Sequence, residues 1–223
     1  MNDIIERIAE IAPVLFEEAG TTLWIVAASL VFGGIAGLIV GTALTVTRKG
    51  AILAQPVVFW ILNALVNTFR PVPFIILLAA LQPLARVVVG RGIGNEMIVF
   101  TISIAATFGI ARIVEQNLVT VDPGVVEAAR AMGAGPWRII RTVILPEGLG
   151  PVILGYTFAT VAIIDMTAVA STVGGQGLGS YALNYGFRQF DMVALWSALV
   201  VIIIITQVVQ ALGNWLARLV LRR

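Results

Sequence analysis

The sequence predicts an all-α integral membrane protein with about five transmembrane helices. Three observations carry this. Only 12% of the residues are charged, against about 25% in an ordinary soluble domain. Hydrophobic residues make up 59%, and the mean hydropathy is +1.01. The apolar residues are gathered into runs near the roughly 18 residues that cross a hydrocarbon core. In lipid every backbone N–H and C=O must be satisfied within the segment, so such runs are helices.

In chain order, residues 1–20 carry Asp3, Glu6, Glu10, Glu17 and Glu18 against a single Arg7. Without a basic start this stretch is not a secretory signal; it reads as an amphipathic acidic segment at a membrane surface. The expected spans are Thr22 to Thr47, Ile52 to Phe69, Ile98 to Ile110 extended back towards Gly94, Leu149 to Ala170, and Met192 to Leu212. Between the second and third, Pro71 to Gly90 is apolar but broken by Pro71, Pro73 and Pro83. It is either a kinked continuation of the second helix or a short re-entrant piece. A transport unit over 21–213 and a basic tail over 214–223 complete the division, with Trp215 placed as an interfacial anchor. Gly33, Gly37 and Gly41 recur every fourth residue on the first span, the spacing that lets helix backbones touch. Packing within one subunit is the expected use, ahead of a dimer seam.

The absence of cysteine and histidine removes disulfides, iron–sulfur clusters, thiol nucleophiles and the commonest metal ligand and proton shuttle. No cofactor, metal site or catalytic residue is expected. A net charge of +2 gives no basic face for nucleic acid. The positive charges mark a membrane side instead. Arg48, Lys49, Arg112, Arg130, Arg138, Arg141, Arg218, Arg222 and Arg223 fall on one side of a five-span chain; Arg7, Arg86, Arg91 and Arg188 fall on the other, and Arg70 lies near or within a span. The positive-inside rule then puts the N-terminus outside and the C-terminus in the cytoplasm.

One long stretch is written for water: "VDPGVVEAARAMGAGPWRIIRTVILPEG", residues 121–148. Asp122 is a helix N-cap, Pro123 suits the first helical position, and Gly133 stops the helix. A second helix is expected from Pro136 to Leu145, ended by Pro146. A DNA-binding helix-turn-helix would need a third helix and its own core, which a loop of this length between two spans lacks.

The order Glu127, Ala128, Ala129, three residues, Gly133, nine residues, then Val143, Ile144, Leu145 and Pro146 resembles the cytoplasmic signature of ATP-binding-cassette importer permeases, with Val143 in place of isoleucine. The resemblance implies the type I importer permease fold. It also implies a coupling helix, carried by Glu127, Ala128, Ala129, Gly133, Leu145 and Pro146, that docks on a separate ATPase subunit. The chain's one lysine, Lys49, is preceded by no phosphate-binding glycine loop, so hydrolysis belongs to that partner. The implied assembly is a homodimer in membrane lipid, with two ATPase subunits and an extracytoplasmic substrate-binding protein.

"NTFRPVPFIILL" at 67–78 and "VGGQGLGSYALNYGF" at 173–187 resemble the methionine importer branch. A permease of the same type for another amino acid or small solute is the alternative. Where that branch carries small and polar residues, this chain has "IDMTAVAST" at 164–172. An intramembrane carboxylate is by default a functional hypothesis, so Asp165, Met166, Thr167 and Arg70 are the substrate-pathway candidates. A structural pairing of Asp165 with Arg70 or an interhelical hydroxyl is the first reading, ahead of a role in passing the substrate's ammonium group and of a place nearer the outer interface. A membrane enzyme would need a second carboxylate, His or Cys beside Asp165, and an autonomous channel would carry flux without ATPase.

Overall fold

A computed structural model describes residues 2–170 and 173–221; Ser171, Thr172, Arg222 and Arg223 of the readings above lie outside the described residues. No strand occurs among the described residues. The helices are α1 (Asn2–Thr47), α2 (Pro56–Phe69), α3 (Phe74–Val88), α4 (Asn95–Leu118), α5 (Pro123–Ala131), α6 (Pro136–Ala170), α7 (Leu178–Tyr181, continued as the π-helix Ala182–Phe187) and α8 (Met192–Leu221).

The glycine stripe sets the central contact. A Cβ on Gly33, Gly37 or Gly41 would come within 2.6 Å of the Ser103 carbonyl, 2.7 Å of Ile110 Cβ and 2.5 Å of the Ala111 carbonyl. The stripe therefore seats α1 against α4 inside the subunit, and its ascending order makes the two helices parallel. Around this pair α6 runs antiparallel to α4, Gly148 meeting Leu118 and Gly155 meeting Ile113, while α8 runs antiparallel to α6, Gly213 meeting Thr157. The Tyr156 hydroxyl donates to the Gly34 carbonyl at 2.7 Å and ties α6 to α1.

The expected second span needs correcting. Residues 52–55 form a turn, with the Leu53 and Gln55 N–H groups donating to the Val46 and Thr47 carbonyls at 2.9 Å. The 14 residues of α2 span about 21 Å, too short to cross alone. After Pro71 and Pro73, which supply no N–H to continue the helix, α3 leaves at 112° to α2. The bent pair carries the chain from the end where α1 stops to the end where α4 starts, so it makes one broken crossing. With α1, α4, α6 and α8 the crossings number five.

Four further boundaries differ. The expected division at residue 20 has no break, because α1 is one helix of 46 residues whose first turns pack Ile11 and Leu15 against Leu178, Tyr181, Ala194 and Ala198. The third span extends past Ile110 to Leu118, placing Arg112 inside a helix rather than beside the loop. Arg112 is held there by an ion pair with Glu115 and by Asn67, whose Oδ1 accepts from it at 2.9 Å. Pro146 does not separate the loop from the fourth span. The π-helical stretch Ile140–Ile144 places the Leu145 N–H on the Ile140 carbonyl, and this wider turn accommodates the proline that follows in a continuous helix. Likewise α8 runs on through the expected tail to Leu221.

Candidate docking surface and membrane-embedded polar sites

The loop that interrupts the apolar sequence is built by local rules. Asp122 Oδ1 accepts the Gly124 N–H at 2.8 Å, and Pro123 takes the first helical position, so α5 starts with a cap and no wasted donor. It stops at Gly133, whose φ of +82° suits glycine. The Gly133 N–H donates to the Arg130 carbonyl at 2.9 Å and the Ala134 N–H to the Ala129 carbonyl at 3.1 Å, the paired bonds of a Schellman stop. Gly135 then opens α6, its carbonyl accepting the Ile139 N–H at 3.1 Å.

The result is a nine-residue helix with two faces. Ala129 is buried and joins Ile139, Ile140 and Ile144 in the main core. Glu127 and Ala128 are exposed. Beside them Met132 is 82% exposed and Trp137 69% exposed, among the exposed Arg130, Arg138 and Arg141. Behind α5 a cleft of about 280 Å³, lined by Glu127, Arg130, Arg48 and Lys49 among others, separates it from the end of α1. Of the sequence-predicted coupling residues, Glu127, Ala128, Ala129 and Gly133 come together in this helix and its stop. Leu145 is half-buried against the core and Pro146 is exposed, both on the helix that continues into the membrane. Sequence reasoning missed Met132 and Trp137; the available signal was two large apolar side chains within an otherwise polar, glycine-punctuated stretch.

Within the membrane, Asp165 and Arg70 are both exposed in the single subunit, and among the described residues no ion pair joins them. Asp165 continues a stripe of α6 that includes the exposed Leu154 and Phe158. Met166 is half-buried against the core. Thr167 is buried, and its hydroxyl donates to the Ile164 carbonyl at 2.7 Å within its own helix. The sequence also missed a polar group on the C-terminal half of α4. Arg112 and Glu115 form an ion pair there, and Asn67 both accepts from Arg112 and donates to Asn63 Oδ1 at 3.1 Å. The signal was an Arg and a Glu three residues apart, and two asparagines four apart, at spacings that share a helix face. Among the described residues no cluster of carboxylates could hold a metal ion.

Residues 33–223 match the family model described as the binding-protein-dependent transport system inner membrane component. A protein of Vibrio cholerae described as a probable D-methionine transport system permease is 36% identical, over 97% of this chain and 96% of that protein. Its counterpart in Haemophilus influenzae is 37% identical, over 88% and 92%. A solved structure of the MetNI methionine ABC transporter in inward-facing conformations superposes with a TM-score of 0.92 at 35% identity, covering 95% of this chain and 98% of that one. An amino acid ABC transporter solved with histidines shares the fold at a TM-score of 0.78 and 18% identity.

Proposed function

This chain belongs to the family of binding-protein-dependent transport system inner membrane components, and we propose that it is the membrane-spanning permease of a methionine importer driven by ATP hydrolysis in a separate subunit. The observation that carries this reading is α5, a rigid two-faced helix at the end of the bundle where α1 and α4 stop. Its exposed Ala128, with Met132 at its end and Trp137 at the start of α6, needs a water-soluble partner. Relatives named for D-methionine transport over nearly their whole length support the substrate class.

The working unit is a homodimer bearing two ATPase subunits on the cytoplasmic side and an extracytoplasmic binding protein on the other, with the N-terminus outside. Residues 21–213 form the transport unit, with 1–20 at the outer surface and 214–223 at the inner one. Asp165 supports the dimer. A lone carboxylate on an uncovered helix face is untenable against lipid, so this stripe of α6 faces the seam between two copies, where Asp165 and Arg70 line the path. Thr167 packs behind them, and Met166 borders both regions. The arrangement is the inward-facing one, closed at the outer end.

Co-purification from native membranes followed by ATP-driven methionine uptake in proteoliposomes tests the reading; a purified complex with no ATPase subunit would sink it. Asp165→Asn should leave assembly and thermal midpoint unchanged while uptake falls severalfold. A fall in stability with uptake per folded complex preserved would return Asp165 to a structural role.

A further inference from the structure

The outer end of the bundle holds a second built arrangement. After α6 the chain turns through 173–177 and sends α7 back against the bundle, with Leu178, Gly179, Ser180 and Tyr181 all buried. Three successive backbone N–H groups in this turn meet side chains from two distant helices. The Gln176 N–H donates to Asn95 Oδ1 on α4 at 2.9 Å. The Gly177 N–H donates to the Glu18 carboxylate, and the Leu178 N–H to Thr22 Oγ1 at 2.9 Å, both on α1. Thr22 is 1% exposed and also donates to the Glu18 carbonyl at 3.0 Å, so its hydroxyl is fixed in direction. Gly177, at φ +118° and ψ 173°, holds a backbone shape open in practice to glycine alone.

Helix starts normally take their caps from neighbouring residues; here they come from 81 to 159 positions away. Such a cap exists only while α1, α4 and the 173–178 turn keep their present relation. Its bonds are polar and can pass to water when they separate; they lie beside the apolar contacts of Leu178 and Tyr181 with Ile11 and Leu15.

We propose that Glu18, Thr22 and Asn95 are positioning residues forming a releasable clasp that keeps the outer end shut, and that the clasp opens when the transporter turns outward. This rests on the importer reading above. The chain has no cysteine, so a reversible lock is available. A Cβ on Gly177 would lie 3.8 Å from Thr22 Cβ, the separation disulfides favour. In proteoliposomes holding permease, ATPase and binding protein, oxidised Thr22→Cys/Gly177→Cys should lose at least tenfold in methionine uptake and regain it on reduction. Uptake near the wild-type rate in both the cross-linked and the reduced form overturns the clasp.

If the backbone at Gly177 rejects a side chain, Glu18→Gln/Thr22→Val supplies the second arm. Unclasping should raise ATP hydrolysis without binding protein severalfold, a gain that loss of stability cannot produce. Basal hydrolysis at the wild-type rate in a folded complex overturns the proposal. This arm needs no methionine, so a wild-type complex that hydrolyses ATP without taking up methionine would count against the substrate assignment and leave the clasp's result standing.

Discussion

The two ends of the bundle are held together in opposite ways. At the end where α1 and α4 stop, the inner end on the reading proposed above, α5 is closed by bonds that reach at most five residues: Asp122 to Gly124, Gly133 to Arg130, Ala134 to Ala129. At the outer end, Asn95, Thr22 and Glu18 reach 81, 156 and 159 residues, and Arg7 reaches Asp191 across 184. A locally closed element keeps its shape wherever the bundle carries it, which suits a surface that must stay docked while transmitting motion. An element closed only by distant partners changes when the helices move. On the importer reading proposed above, the end that carries α5 transmits a change of state and the opposite end registers one.

The largest expected effect attacks the locally closed side. Gly133→Leu places a branched side chain at φ +82°, which opposes the Schellman stop and re-aims α5 and Met132. Membrane insertion should be unaffected, since Gly133 is exposed. Uptake by the assembled complex should fall at least tenfold. Uptake within twofold of wild type would show that α5 can be re-aimed freely, and the contrast between the two ends would lose its inner half.

Next in size is Arg112→Leu. Glu115, 7% exposed, would keep its charge without its partner; because Arg112 itself is partly exposed, the expected loss is about 2 kcal/mol, below the range for fully buried pairs. The thermal midpoint of the purified complex measures it. Arg112→Leu/Glu115→Leu should recover most of the loss, and failure to recover would mean that the bond from Arg112 to Asn67 on α2 matters more than the ion pair.

The same contrast explains what could be read in the sequence. The cap at Asp122, the stop at Gly133 and the four-residue glycine spacing were legible because their partners are a few residues away or repeat at a fixed period. Hydropathy counts a charge without its partner and so puts Arg112 outside its span; Glu115 is three residues along the same helix, but Asn63 and Asn67 become partners only once α2 lies on α4. The reach of α1 from Asn2 to Thr47 escaped for the same reason. Acids surround Ile11 and Leu15 in sequence, and what buries those two side chains is 163 or more residues further along at Leu178, Tyr181, Ala194 and Ala198. Pro146 misled because a π-helical turn absorbs it, which no composition rule anticipates.

A smaller effect sharpens the inner side. Asp122→Ala removes one cap bond while Pro123 and the Schellman stop remain, a loss of about 1 kcal/mol. If docking needs α5 formed, affinity for the ATPase should fall about fivefold, while Asp122→Asn, which keeps a capping oxygen, should stay near wild type. An equal loss in both variants would point to the charge of Asp122 rather than its cap.

The smallest effect belongs to the outer side and separates by pH. Asp191 accepts from Arg7 at 2.7 Å and from the Ala194 N–H at 3.0 Å, and these contacts, the arginine first, hold its carboxyl below the usual range. A carboxyl depressed in the folded state contributes stability that is present above its unfolded value, about 3.9, and lost as pH falls through that value towards the lower folded one. The pair is partly solvent-exposed, with 48% of the Arg7 side chain and 21% of the Asp191 side chain accessible, so screening keeps the effect small. At pH 7, Asp191→Asn should lower the thermal midpoint by roughly 2 °C or less. Between pH 5 and about pH 3 the wild-type midpoint should fall towards that of the variant, since protonation removes the charge the substitution has already removed. Since Asn keeps an oxygen for the Ala194 N–H, parallel curves with a constant gap would show that the loss does not follow the charge of Asp191, and the long reach from Arg7 would then not hold this end of the bundle.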